Sequence, residues 1–140
     1  MDLRFARCTD LHFGKQALYR GKLRKLSAEA PRLVSDFVER MKREKPDFIV
    51  NLGDDIEDES PEADGALYRC CIDILRTADI DLVHVAGNHD NVHLSSEELL
   101  EIWASPYARG PALHYDFVRG GIHFVVLHTT EKKDVSVKLP

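Results

Sequence analysis

KPDFIVNLGD, residues 45–54, decides the fold class. Pro46 ends a preceding helix, since proline has no N–H to donate and restricts the residue before it. Phe48 to Leu52 is then nearly all apolar, which suits a strand covered on both faces. Gly53 and Asp54 close the strand, and the glycine lets the backbone turn sharply and approach a neighbour. A buried strand ending in a glycine and a carboxylate is the unit of a parallel sheet that keeps its chemistry at the carboxyl edge.

The flanking sequence supplies the rest of such a sheet. Leu3 to Cys8 reads as a strand, and Ala30, Leu33, Val34, Phe37, Val38 and Met41 recur at helical spacing, predicting a helix from about Ser27 to Glu44. Pro61 opens a second helix, with Ala63, Ala66, Leu67, Cys70 and Ile74 as its apolar face. Asp81 to Ala86 is a third buried strand, and Ser95 with Glu98 forms a capping-box pattern at a third helix. Two extended runs around Gly120-Gly121 signal a hairpin. Alternating strands and helices imply right-handed crossovers and a mostly parallel α/β sheet, with the carboxyl-terminal hairpin added at one side.

The 140 residues suit one domain spanning 1–140, and the polar stretch Asp58 to Pro61 is too short to divide it. A net charge of −5 argues against a nucleic-acid partner. No run of about 18 apolar residues offers a membrane span, and the first ten residues lack the apolar segment of a signal peptide. Cys8, Cys70 and Cys71 lack zinc-ribbon or C-x-x-C spacing, so free thiols in a reducing cytoplasm are expected and a redox role is excluded.

Three loops follow the three strands. In the first, Asp10 and His12 are two residues apart and, in an extended segment, point to the same side, where both can reach one divalent ion. In the second, Asp54 carries two oxygens and can bridge two metals, whereas Asp55, Glu57, Asp58 and Glu59 read as a solvated acidic loop. In the third, Asn88 offers a neutral carbonyl oxygen. His89 can face substrate, protonating a leaving oxygen or stabilising charge, while Asp90 orients it or caps the turn. Lys15, Arg20 and Lys22 form a basic loop that reads as solvated, with help in binding phosphate as the alternative.

Taken together, Asp10-Leu11-His12, Gly53-Asp54-Asp55-Ile56-Glu57 and Gly87-Asn88-His89-Asp90 resemble the calcineurin-like metallophosphoesterase superfamily, whose pattern is D-x-H, G-D-x-x-[DE] and G-N-H-[DE]. The resemblance runs to about Thr130. It implies a metallophosphoesterase-like αββα sandwich and a dinuclear centre. Asp10 and His12 would hold one ion, Asp54 would bridge, Asn88 would hold the second, and His89 would be catalytic. Divalent manganese, iron or zinc fits such oxygen and nitrogen donors. Phosphate esters, either small molecules or nucleotide-like compounds, would be the substrates, hydrolysed as diesters or monoesters by a metal-activated water.

The family's closing G-H-x-H is absent. His84 reads as a satisfied core residue, His93 as a solvated loop position with substrate contact as the alternative, His114 and His123 as hairpin residues, and His128 as a strand end with metal ligation as the alternative. The four donors then give one ion three protein ligands and the other two. The sandwich is therefore expected to be incomplete, as a fragment or with its apolar face covered by a second copy or a partner chain. A non-catalytic metal-binding or interaction module is the alternative to a hydrolase.

Overall fold

The computed structural model describes residues 2–16, 18–131 and 137–138. Strand β1 (Phe5–Cys8) leads to a small arm of β2 (Leu18–Tyr19) and β3 (Lys22–Leu23), then to a 3-10 turn (Ser27–Glu29) and helix α1 (Ala30–Glu44). Next come β4 (Phe48–Asn51), α2 (Pro61–Arg76), β5 (Leu82–His84) and α3 (Ser96–Trp103). Strands β6 (Tyr115–Arg119) and β7 (Ile122–Val126) form a hairpin, and β8 (Thr130–Glu131) pairs with β9 (Val137–Lys138). No helix of the described residues is long and apolar enough to cross a membrane.

β1, β4 and β5 make a parallel sheet in that order, with Cys8 beside Asn51 and Asn51 beside His84. Each crossover steps the same way, so the helices share one face. There Ile49 packs among Val34, Val38, Tyr68, Ile72, Leu75, Leu99 and Trp103. Side chains alternate along a strand. Phe48 and Val83 therefore face the other way, against Phe117 and Val126 of the hairpin. The hairpin's strands pair only with each other and pack against the sheet rather than extending it, while the Tyr115 hydroxyl bonds the His84 backbone and Arg119 bonds the Asp47 carbonyl. Ring stacking of Phe5 on Phe48 at 5.1 Å and the edge of Phe124 on Phe48 at 5.3 Å seal that layer. Its outward side leaves Val118 and Val125 exposed.

Local chemistry sets the helix ends. Pro31 sits in the first turn of α1, and Lys45 closes that helix in the left-handed region. Ser60 caps α2 by accepting from Ala63 N–H. Both halves of the Ser95–Glu98 capping box are made at α3. The expected face of α2 is wrong by about one residue. Asp64, Tyr68, Cys71, Ile72 and Leu75 are buried, whereas Ala66 and Cys70 are exposed. Two polar groups explain this. Asp64 accepts N–H bonds from Glu59 and Ser60, and the Tyr68 hydroxyl accepts from Trp103 Nε1 at 2.8 Å. Leu33, expected in the core, is 43% exposed.

His84 is buried as expected, stacked on Trp103 at 5.4 Å, but its Nδ1 has no hydrogen-bond partner. Burial, helped by the Arg76 charge, pushes its imidazole down to about 3 from 6.5. The unfolded chain protonates this group near 6.5 and the folded chain does not, so stability is full above 6.5 and is lost as pH falls towards about 3. Urea midpoints should reveal a loss of roughly 2 kcal/mol between about pH 6.5 and pH 5. His84→Phe, which keeps the stack, should flatten that slope; an unchanged slope would assign the acid loss to other groups.

Candidate metal centre

All three loops leave the carboxyl edge of the sheet, and backbone bonds stitch the first to the second. Asp10 N–H donates to the Gly53 carbonyl at 3.0 Å, His12 N–H to Asp54 at 3.0 Å, and Phe13 N–H to Asp55 at 2.7 Å. These bonds prolong the β1–β4 pairing beyond the strands. The first loop is not extended, contrary to the sequence reading. Asp10, His12 and Asp54 have φ of 55°, 47° and 55°. Left-handed backbone at residues with side chains costs about 1–3 kcal/mol each, and here the flanking bonds hold it.

The third loop meets the second at two glycines. A side chain on Gly53 would overlap the Gly87 nitrogen, and one on Gly87 would overlap Asp54 Oδ1 and N. Asp90 locks this approach. Its Oδ2 accepts from Gly87 N–H at 2.8 Å and Asp54 N–H at 2.9 Å, and its Oδ1 from Asp55 N–H at 2.8 Å. Asp90 thus neither orients His89 nor merely caps a turn; it joins two loops. Burial raises its carboxyl above the usual range, while the N–H bonds from Gly87 and Asp55 pull it back.

Within this frame, donor atoms of Asp10, His12 and Asp54 lie within 4.8 Å of one another. Donor atoms of His12, Glu57 and His89 form a second such group. His12 Nε2 is 3.6 Å from Asp10 Oδ1, and the His12 and His89 rings meet edge to face at 5.0 Å. Asn88 stands exposed between Gly87 and His89, and His89 N–H donates to Asp54 Oδ1 at 3.1 Å. His114 lies just before the hairpin and His123 within it, paired to Asp116 at 2.8 Å. His128 has a buried Nδ1 without a partner, and burial and then the His114 charge lower its imidazole.

The acidic loop is not a solvated run. Asp55 is fully buried and accepts from the Asn51 amide; burial first and then the Asp90 charge raise its carboxyl well above the usual range. Glu57 pairs with Lys25 at 2.9 Å and lies 3.5 Å from His12 Nδ1. Lys25 Nζ is itself 3.1 Å from that nitrogen. Asp58 Oδ1 is 2.7 Å from His89 Nδ1. Burial would raise the Asp58 carboxyl, but the bond and charge of His89, with the His93 charge, outweigh it and hold it below the usual range. Glu59 accepts from Lys15 N–H. His93 is bound by the buried Asp64 at 2.7 Å rather than solvated. The clue to these partners lay in the crowding of acids just past a strand end, facing loops rich in histidine.

Oxygen and nitrogen donors converging on a half-open surface fit a hard or borderline divalent cation. Among the described residues no cysteine joins either donor group; burial and then the Asp55 charge push the Cys8 thiol up to about 12, and Cys71 is shifted upward for the same reasons.

The profile of the calcineurin-like phosphoesterases matches residues 3–136. No curated protein matches the chain. Solved structures do, in 26 chains; among them is a dimetal phosphatase from Danio rerio, 23% identical with a TM-score of 0.63. The match covers 71% of this chain and 33% of that one, so the chain spans about a third of that protein's length. At this identity the likeness establishes the fold.

Asp90→Asn tests the clamp. An amide presents one acceptor where the carboxylate presents two, leaving at least one backbone N–H facing an NH2 group. The substitution should cost about 1–3 kcal/mol in urea unfolding and weaken manganese binding measured by calorimetry. Unchanged values for both would show that Asp90 does not hold the loops.

Proposed function

The chain belongs to the calcineurin-like phosphoesterase family, and we propose from that premise that it hydrolyses phosphate esters. The observation that carries this reading is the convergence of Asp10, His12 and Asp54 donors within 4.8 Å, with His89 beside them on a carboxylate partner. Asp10 and His12 would hold one cation, Asp54 would face both positions, and Asn88 would serve the second. Manganese, iron and zinc all suit these donors. When bound, such cations supply positive charge for the phosphoryl oxygens and acidify water.

The residues of the chain supply orientation and proton control. Asp58 fixes the His89 ring through Nδ1, leaving Nε2 as the atom available to a substrate oxygen. From there His89 can donate a proton to the leaving oxygen or a hydrogen bond to the phosphoryl group. Asp54 Oδ1 is held by His89 N–H, which ties the position of the carboxylate to that of the imidazole. Glu57, anchored by Lys25, lies against His12 Nδ1 and steadies that ring from behind. Small phosphomonoesters, phosphodiesters and nucleotide-like esters all fit a centre this open, where the Asp10 side chain is 63% exposed.

Elemental analysis and hydrolysis of p-nitrophenyl phosphate and bis(p-nitrophenyl) phosphate test the reading. Asp54→Asn should lose bound metal and turnover while circular dichroism retains its helices. His89→Ala should slow turnover by about 10²–10⁴-fold with metal affinity nearly intact. Full turnover by Asp54→Asn would remove Asp54 from the mechanism, and loss of metal in His89→Ala would make His89 a ligand. Metal retention without hydrolysis by the parent chain would leave a metal-binding module.

A further inference from the structure

A cavity of about 300 Å³ adjoins the centre, lined by Asp10 and His12 together with Leu26, Ala30, Leu33 and Val34. Its position accounts for an anomaly in α1. Leu33 belongs by spacing to the apolar stripe of that helix, yet it is 43% exposed, and Leu26 just before the helix is 56% exposed. Both line this cavity. The arm between the first loop and α1 is of the same character, since Leu18, Tyr19 and Leu23 are exposed as well.

The polar groups of the wall are turned elsewhere. Lys25 Nζ is paired with Glu57 at 2.9 Å and lies 3.1 Å from His12 Nδ1, and the Ser27 hydroxyl bonds Glu57 Oε1 at 3.4 Å. A second phosphate or a carboxylate entering the cavity would thus lose its hydration without gaining an uncommitted cation. An apolar group entering it would cover leucine and valine side chains now facing water. The volume is at the lower end for ligand sites, enough for a single ring or a branched alkyl group.

We propose that this cavity receives the apolar group esterified to the phosphate, so that aryl and branched-alkyl phosphates are the substrate class. The inference rests on the phosphoesterase reading given above. It assigns Leu26 and Leu33 to specificity: the anion lies at Asp10 and His12 while the ester's carbon portion lies against α1.

Phenylphosphonate and methylphosphonate test it, because they carry the same anion, resist hydrolysis and differ in the apolar group. Calorimetry on the manganese-loaded full chain should find phenylphosphonate bound at least about tenfold more tightly, a difference of about 1.4 kcal/mol. In a chain carrying Leu26→Asn and Leu33→Asn the ratio should fall towards one. Both side chains are already partly in water, so the fold should hold, as circular dichroism will show. Equal affinities, no phenylphosphonate binding, or an unaltered ratio in the double variant would overturn the assignment, provided the parent chain hydrolyses p-nitrophenyl phosphate. Should the parent neither bind the phosphonates nor hydrolyse that ester, the phosphoesterase reading falls and the cavity assignment with it.

Discussion

Asp90 accepts backbone N–H groups from Gly87, Asp54 and Asp55, and those bonds tie the end of β5 to the end of β4. They can form only because neither Gly53 nor Gly87 carries a side chain at the crossing point. The consequence reaches the chemistry directly. With the two backbones in contact, His89 N–H meets Asp54 Oδ1, and the Asp58 carboxylate meets the His89 ring. Removing the clamp would leave buried N–H groups without acceptors and separate the two loops that carry these partners.

Beneath the loops lies a polar floor. Cys8, Asn51 and His84 are aligned across the three strands on the face that meets the helices. Asn51 donates to Asp55 and accepts from Gly53 N–H, while His84 stacks on Trp103, whose indole donates to Tyr68. The second and third loops share one arrangement: a half-buried residue facing the centre, Asp54 or His89, is followed by a fully buried aspartate, Asp55 or Asp90. The half-buried member faces the centre, and Asp90, the buried member of the third loop, holds the backbone N–H groups of Asp54 and Asp55. Rigidity and access are thereby assigned to adjacent residues.

This division also decides what the amino-acid sequence reveals. The central strand was legible because Phe48 and Ile49 are both fully buried, as an unbroken apolar run demands. The Ser95–Glu98 cap was legible because its partners are three residues apart. The buried face of α2 was not, since Asp64 and Tyr68 occupy it and hydrophobic spacing does not register polar groups satisfied by distant partners. The convergence of Asp10 with His12 was expected for the wrong reason. Left-handed backbone brings them together, and that conformation is imposed by carbonyls more than forty positions along the chain. Glu57, Asp58 and Asp90 were hidden likewise, each acting on a residue from another loop. Leu33 matched its periodicity and was misplaced because a cavity stands where periodicity implies a neighbour.

The donor atoms of Asp10 and Asp54 lie within 4.8 Å of each other. Two carboxylates brought this close repel, an effect weakened by solvent at Asp10, whose side chain is 63% exposed. Among the described residues no lysine or arginine pairs with either carboxylate, and Lys25, 3.1 Å from His12 Nδ1, pairs with Glu57. Yet the backbone around both carboxylates is held by bonds to Gly53, Asp54 and Asp90 that involve no cation. Hydrogen bonds between the loops thus contribute to gathering these donors, beside whatever a cation would add. A divalent cation held there would offset that repulsion, and its binding would strengthen the junction of the loops.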